Sequence, residues 1–218
     1  MIPTWLIEYA EKFISENNYD SSHDMRHFIN VYEYAKKIYE TDYSNIELIQ
    51  GFAKEDSLSI LYYSAFCHDL IDAKYVNSMH AIEKLRKVFL ENGYNENNLY
   101  IIIFLIDNMS FSKQRTGKHF IPSHLQLILD IVSDADKLDA YRVERVVAFQ
   151  EKKLKDYFES DKEEKKRNWI KTILVKRVLM YKDHWLKTPY AKSIAPPLHD
   201  IVLRYVEENL SDSEMYDY

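Results

Sequence analysis

Apolar residues recur at three- and four-residue intervals along most of this chain, the spacing that lays them on one face of an α-helix. Trp5, Leu6, Tyr9, Ala10, Phe13 and Ile14 mark a first helix that stops before the polar stretch ENNYDSS. Phe28, Val31, Tyr32, Ala35 and Ile38 form the inward face of a second, predicted from about Asp24 to Glu40. A third is expected after Ser57, read as its N-cap, through LSILYYSAFCHD, apolar almost all round and therefore central. A fourth covers Ser78 to Glu91 and stops at Gly93, and a fifth opens at Asn95 or Asn97 and ends near Asn108. Pro122 and Ser123, with Gln126 three residues after the serine, give a capping-box start to a sixth. Two long helices are predicted at about Leu138 to Phe158 and Lys162 to Lys187. Pro189 ends the second, and Pro196 with Pro197 introduces a last helix through Asn209. Alternating strand patterns are scarce; the run IIIFLI has flanks that suit a buried helix. The predicted class is all-α.

Composition narrows the function. The chain has 218 residues and 46% hydrophobic content, enough for one buried core. With no repeat and no linker, it is read as a single domain over 1–218, with a motif core at about 22–140 and C-terminal helices over 141–210. No apolar run approaches the roughly 18 residues that span a bilayer, and no signal-peptide pattern opens the chain, so a cytoplasmic protein without membrane partners is expected. A net charge of −6 argues against generic nucleic-acid binding, which needs a broad basic face. With 3 glycines there is no glycine-rich phosphate loop, so phosphate chemistry would have to use side chains or metal. Cys67, the one cysteine, excludes a cysteine zinc cluster and reads as a buried small hydrophobe.

Three polar clusters interrupt the apolar pattern: HDMRH at 23–27, HDLID at 68–72 and DADKLD at 134–139. Each falls on or beside a predicted helix, where ionisable groups are expensive unless paired or bound to metal. HDMRH alone matches the frame of a zinc-metallopeptidase helix, with aspartate for the glutamate base and Glu47 as a possible third ligand. That reading leaves His68, Asp69 and Asp136 unexplained. Taken together, the clusters offer imidazoles and carboxylates without thiolates, a donor set for Mn, Fe, Co, Ni or Zn.

The ordered set HDMRHF, FCHDLID and SDADKLDAY resembles the HD-domain superfamily of metal-dependent phosphohydrolases, in particular the small bacterial-type branch that includes nucleoside triphosphate pyrophosphohydrolases. The resemblance extends from about Ser22 to Glu208. It implies a compact multi-helix fold and one divalent metal ion (Mn, Mg, Fe, Co, Ni or Zn) held by His27, His68, Asp69 and Asp136. It also implies a small phosphorylated substrate, a nucleotide triphosphate cleaved to monophosphate and pyrophosphate by a metal-activated water. Nucleotidase or phosphodiesterase activity of the same superfamily, and a degenerate nucleotide-binding module, are the alternatives. Asp72, one helical turn beyond His68, is the candidate for proton transfer. His23, Lys74, Lys113 and Lys137 are candidate substrate contacts, the lysines as phosphate-neutralising charges. Asp139 is read as a group that supports a ligand, and Asp134 as a surface or capping residue. Two positions depart from the superfamily pattern: Asn30, often arginine in similar proteins, and Ala73, where some relatives carry a second acidic residue.

Overall fold

Among the residues described by the structure, a computed structural model, all regular structure is helical. Those residues are 1–71, 76–109, 116, 120–154 and 162–215, with backbone alone for 151–154 and 162. The α-helices are α1 (Thr4–Glu16), α2 (Met25–Ile38), α3 (Lys54–Cys67), α4 (Ser78–Glu91), α5 (Glu96–Asn108), α6 (Gln126–Asp139), α7 (Val143–Leu154), α8 (Lys162–Ile173) and α9 (Pro189–Leu210). None is long and apolar enough to cross a membrane.

The helix starts follow ordinary capping chemistry. Asp24 accepts from the amide of His27 to open α2, and Asn77 from His80 to open α4. Asn95 accepts from both Asn97 and Asn98 to open α5. Each such cap satisfies a donor that has no partner inside the helix and contributes about 1 kcal/mol. Gly93 follows α4 at φ +72°, where its amide donates to Leu90 and the next amide, of Tyr94, to Phe89.

Four expectations are corrected. Ser57 does not cap α3; the helix starts a turn earlier, at Lys54, with Glu55 and Asp56 on the positive end of its dipole. No capping box forms at Ser123, which enters a short 3-10 turn, while the Gln126 amide donates to Asp130 within α6. The break expected near Leu138 falls after Asp139, so the DADKLD motif belongs wholly to α6. Pro196 and Pro197 do not begin the last helix: α9 starts at Pro189, and both prolines lie inside it. Proline at the first helical position is pre-set for helix, and Ala191 and Ala195 bury against the core across the stretch the prolines weaken. Tertiary packing overrides the local preference.

The inward face of α2 is the centre of the fold. Phe28, Val31, Ala35 and Ile38 are fully buried, as their spacing predicts, and α2 packs against both α6 and α3. The third side of this core is α5, which lies on α3. That arrangement brings the first turn of α2, the C-terminal end of α3 and the last turns of α6 to one place.

Candidate metal centre

His27 lies in the first turn of α2 and is completely buried. His68 caps the C-terminus of α3, followed by Asp69 where the chain leaves the helix. Asp136 and Asp139, three residues apart, project from one side of α6. The Nε2 atoms of His27 and His68 are 2.9 Å apart. Asp69 Oδ2 is 3.2 Å from each, and Asp136 Oδ1 is 3.7 Å from each.

The tautomers follow from partners that can only accept. Asp139 Oδ2 is 2.7 Å from His27 Nδ1, and the Ala65 carbonyl is 2.9 Å from His68 Nδ1. Both Nδ1 atoms therefore carry hydrogen, and both Nε2 lone pairs point at the same small volume. Two converging, buried imidazole lone pairs beside two partly exposed carboxylates favour a cation. In the metal-free chain that cation is a proton on His68: burial opposes it, but the Asp69 charge, with Asp136 hydrogen-bonded alongside, lifts the imidazole to about 10. His27 moves the other way, lowered by burial and by the Arg145 charge. Asp69 sits well below the usual carboxylate range; burial works against this, and His68 and His27 outweigh burial. Asp136 is lowered similarly, against burial, by His68 and Arg145.

Donors about 2.1 Å from a shared ion lie about 3.0 Å apart when adjacent in an octahedron and about 3.4 Å apart in a tetrahedron. The observed spacings of 2.9 to 3.7 Å bracket those values. His27, His68 and Asp136 form a potential ligand set among the described residues, their ligand atoms all within 4.8 Å of one another, and Asp69 adds a second carboxylate beside both histidines. The donor set fits a divalent ion.

Residues around the cluster hold it in place. Asp139 is fully buried and, besides His27, accepts from the Asn30 amide at 2.7 Å and from Arg142 at 3.2 Å. Asn30 thus serves the site through Asp139. Tyr19 donates to the Asp69 carbonyl at 2.9 Å. His23 lies just before α2, with Nε2 3.4 Å from Asp69 Oδ2 and Nδ1 2.6 Å from the Ser22 hydroxyl. Because the helix begins at Met25 and Asp24 caps it, the metallopeptidase frame does not exist as two histidines one helical turn apart. Glu47 is exposed and accepts from the Gly51 amide at 2.7 Å.

Lys137 is buried, and its ammonium donates to the carbonyl and hydroxyl of Ser133 within its own helix; burial lowers its pKa. Asp134 is also fully buried. Its Oδ2 accepts from the amides of Lys187 and Thr188 at 2.8 and 2.7 Å and from the Thr188 hydroxyl at 2.9 Å, so it ties α6 to the start of α9. The surface reading is overturned, and the amides Asp134 holds belong to the two residues that precede α9. Asp72, Lys74 and Lys113 lie outside the described residues.

Sequence reading missed Arg145, on α7. Its Nη2 is 2.9 Å from His27 Nε2, its Nη1 3.4 Å from Asp136 Oδ1, and its Nε donates to the Ser22 carbonyl at 2.8 Å. Beside it opens a cavity of about 80 Å³ lined by His23, Arg145, Phe149, Ile173, Arg177 and Tyr181.

No protein-family model and no curated protein matches this chain. Solved structures do. Bacillus subtilis YpgQ is similar with a TM-score of 0.63 and 22% identity, over 96% of this chain and 97% of that one. A Lactobacillus plantarum protein gives 0.70 and 19%, over 96% and 95%. An HD-superfamily hydrolase of Bacillus thuringiensis gives 0.61 and 20%, over 94% and 93%. Nearly the whole chain thus shares the all-α fold of these proteins, one of them an HD-superfamily hydrolase.

Proposed function

We propose that this chain is a metal-dependent phosphohydrolase of the HD-domain superfamily that acts on nucleotides, cleaving (deoxy)nucleoside triphosphates to monophosphate and pyrophosphate. The observation that carries the reading is the pair of buried imidazoles, each with Nδ1 pinned by an acceptor and Nε2 turned to the same point between two carboxylates. The ordered motifs and the fold support hydrolysis of this class, and the choice of nucleotide rests on the sequence resemblance.

His27, His68, Asp69 and Asp136 would hold one divalent ion. When bound, such an ion supplies positive charge for a phosphoryl oxygen and lowers the pKa of water from about 15.7 toward about 7. The rest falls to the chain. Asp139 keeps His27 in the ligating tautomer, the Ala65 carbonyl does the same for His68, and Asn30 and Arg142 hold Asp139. His23, placed between Asp69 and the cavity, faces the substrate. Asp72 is assigned the proton transfer, and Lys74 and Lys113 the remaining phosphate charge.

Metal analysis of the purified protein, followed by product identification across triphosphates, monophosphates and cyclic nucleotides with Mn, Mg, Co or Ni, tests the reading. Pyrophosphate and monophosphate from a triphosphate are expected. Orthophosphate from monophosphates would make it a nucleotidase, opening of cyclic nucleotides a phosphodiesterase, and bound metal without turnover a binding module. His68→Ala or Asp136→Ala should abolish metal binding and product release together; retained activity in either removes the site assignment. Asp72→Asn should keep the metal and slow turnover, and an unchanged rate takes Asp72 out of the proton path.

A further inference from the structure

Arg145 is held at three points, and two of them belong to the proposed metal site. Nη2 donates to His27 Nε2 and Nη1 faces Asp136 Oδ1, whereas Nε is anchored on the Ser22 carbonyl, with Asp139 Oδ2 3.8 Å away. An imidazole nitrogen has one lone pair in its ring plane, so His27 Nε2 cannot serve a guanidinium and a metal ion at once. An ion that takes His27 Nε2 therefore strips Nη2 of its acceptor and, by binding Asp136, weakens the pull of that carboxylate on Nη1, while Nε keeps its anchor. The Nη2 donor freed in that way, in a poorly solvated place beside a divalent charge, favours a new anionic acceptor.

The adjoining cavity has the lining for one. Arg177 enters it from beyond α8, its Nε donating to the Tyr181 hydroxyl at 2.8 Å. Planar guanidinium groups match phosphoryl oxygens with paired donors. Val146, Phe149, Ile173 and Val178 supply apolar wall on the same cavity, with the Phe149 ring 5.6 Å from that of His23. The lining suits a phosphorylated compound that carries a flat or apolar body.

We propose that Arg145 is a substrate-binding residue that rests on the metal ligands until the ion arrives, then transfers its Nη donors to a phosphoryl group placed between it and Arg177. The proposal rests on the metal-centre reading above. It makes metal and anion binding cooperative, and it makes Arg145 a competitor of the metal when no anion is present.

Mn²⁺ titrations followed by the electron paramagnetic resonance of the free ion, with and without inorganic phosphate, test this on the full chain, with far-UV circular dichroism as the folding control. Without phosphate, Arg145→Gln should bind Mn²⁺ roughly tenfold tighter than wild type, the size of one charge-assisted hydrogen bond no longer broken. The same variant, loaded with Mn²⁺, should bind phosphate at least roughly tenfold more weakly. Arg145→Lys should fall between, a point charge without the fork. In wild type, phosphate should tighten Mn²⁺ by the factor by which Mn²⁺ tightens phosphate. Arg177→Gln gives an independent arm should the Arg145 variants not fold: weaker phosphate binding with wild-type Mn²⁺ affinity in its absence. Equal or weaker Mn²⁺ binding by Arg145→Gln overturns the proposal, as does unchanged phosphate affinity in either glutamine variant. Wild type that binds neither Mn²⁺ nor, by calorimetric titration, Co²⁺, Ni²⁺ or Zn²⁺ would end the metal-centre reading itself, a result distinguishable because every variant would then be equally silent.

Discussion

Replacing Asp139 by asparagine tests whether the centre is built for metal, because the change keeps size and shape and removes only charge and one acceptor. Asp139 uses both oxygens: Oδ2 accepts from His27 Nδ1 at 2.7 Å, and Oδ1 from the Asn30 amide at 2.7 Å and Arg142 at 3.2 Å. Asparagine has one acceptor. If its oxygen faces His27, its amide nitrogen meets Arg142 and Asn30, and only Asn30 can turn over to accept. If its nitrogen faces His27, the imidazole must move its proton to Nε2, the atom proposed to ligate. The folded state therefore loses about 1 to 3 kcal/mol in either orientation, whereas the ligating tautomer is protected in only one. Loss of a carboxylate behind a ligating imidazole typically weakens metal binding by about 10- to 100-fold. Metal-free and Mn²⁺-loaded urea titrations give the first quantity, and competition with a chelating dye the second. Wild-type Mn²⁺ affinity in a folded Asp139→Asn protein would refute the reasoning, because Asp139 would then be stabilising the core and nothing more.

The remaining predictions concern pH and packing. The folded pKa of His68 is raised from 6.5 to about 10, so its contribution to metal-free stability is complete below the unfolded value and is lost as pH rises through the folded one. The loss is at most about 1.4 kcal/mol per pH unit in that window. A metal must displace that proton, so at pH 8 Mn²⁺ binding should release close to one proton, read by calorimetry in buffers of different ionisation enthalpy; no release would remove the assigned role of His68. Asp134→Ala leaves the Lys187 amide and the buried amide and hydroxyl of Thr188, just before α9, without their acceptor, and it should cost about 2 to 4 kcal/mol. An unchanged urea midpoint would contradict this, and Mn²⁺ affinity should stay within about twofold of wild type, since Asp134 is not among the cluster's close partners. Gly93→Ala should cost about 1 kcal/mol through backbone conformation alone, because φ is +72° and no atom lies within 4 Å of the added methyl. A thermal midpoint equal to that of wild type would show that the α4 turn relaxes.

Local spacing carried much of the fold into view. The face Phe28, Val31, Tyr32, Ala35 and Ile38 is buried as read, because a helix repeats every 3.6 residues whatever it later packs against. The motif positions were legible for a related reason: an ionisable side chain next to an apolar run has few affordable fates, and three such clusters in order narrow them further. Helix ends were less legible where packing outweighs local preference. Ser57 and Ser123 have the right chemistry to cap, yet the chain starts its turns elsewhere, and the paired prolines sit inside α9 because its alanines bury there.

What the sequence determined by itself is an all-helical chain and a shortlist of metal-binding side chains. What only the tertiary structure decided is which atoms of that list meet. On an unbroken helix, the nine residues from Asp136 to Arg145 make about two and a half turns and would set the two on opposite faces. The break over residues 140–142 re-aims α7, so that Arg145 reaches back to His27 and Asp136. Lys137, next to Asp136 in sequence, is turned about 100° away by the same helical geometry and ends on Ser133. Nearness along the chain is a poor guide to a site assembled from α2, α3, α6 and α7. Side-chain direction there depends on where each helix stops and on what the stop packs against, and spacing within any one helix does not record it.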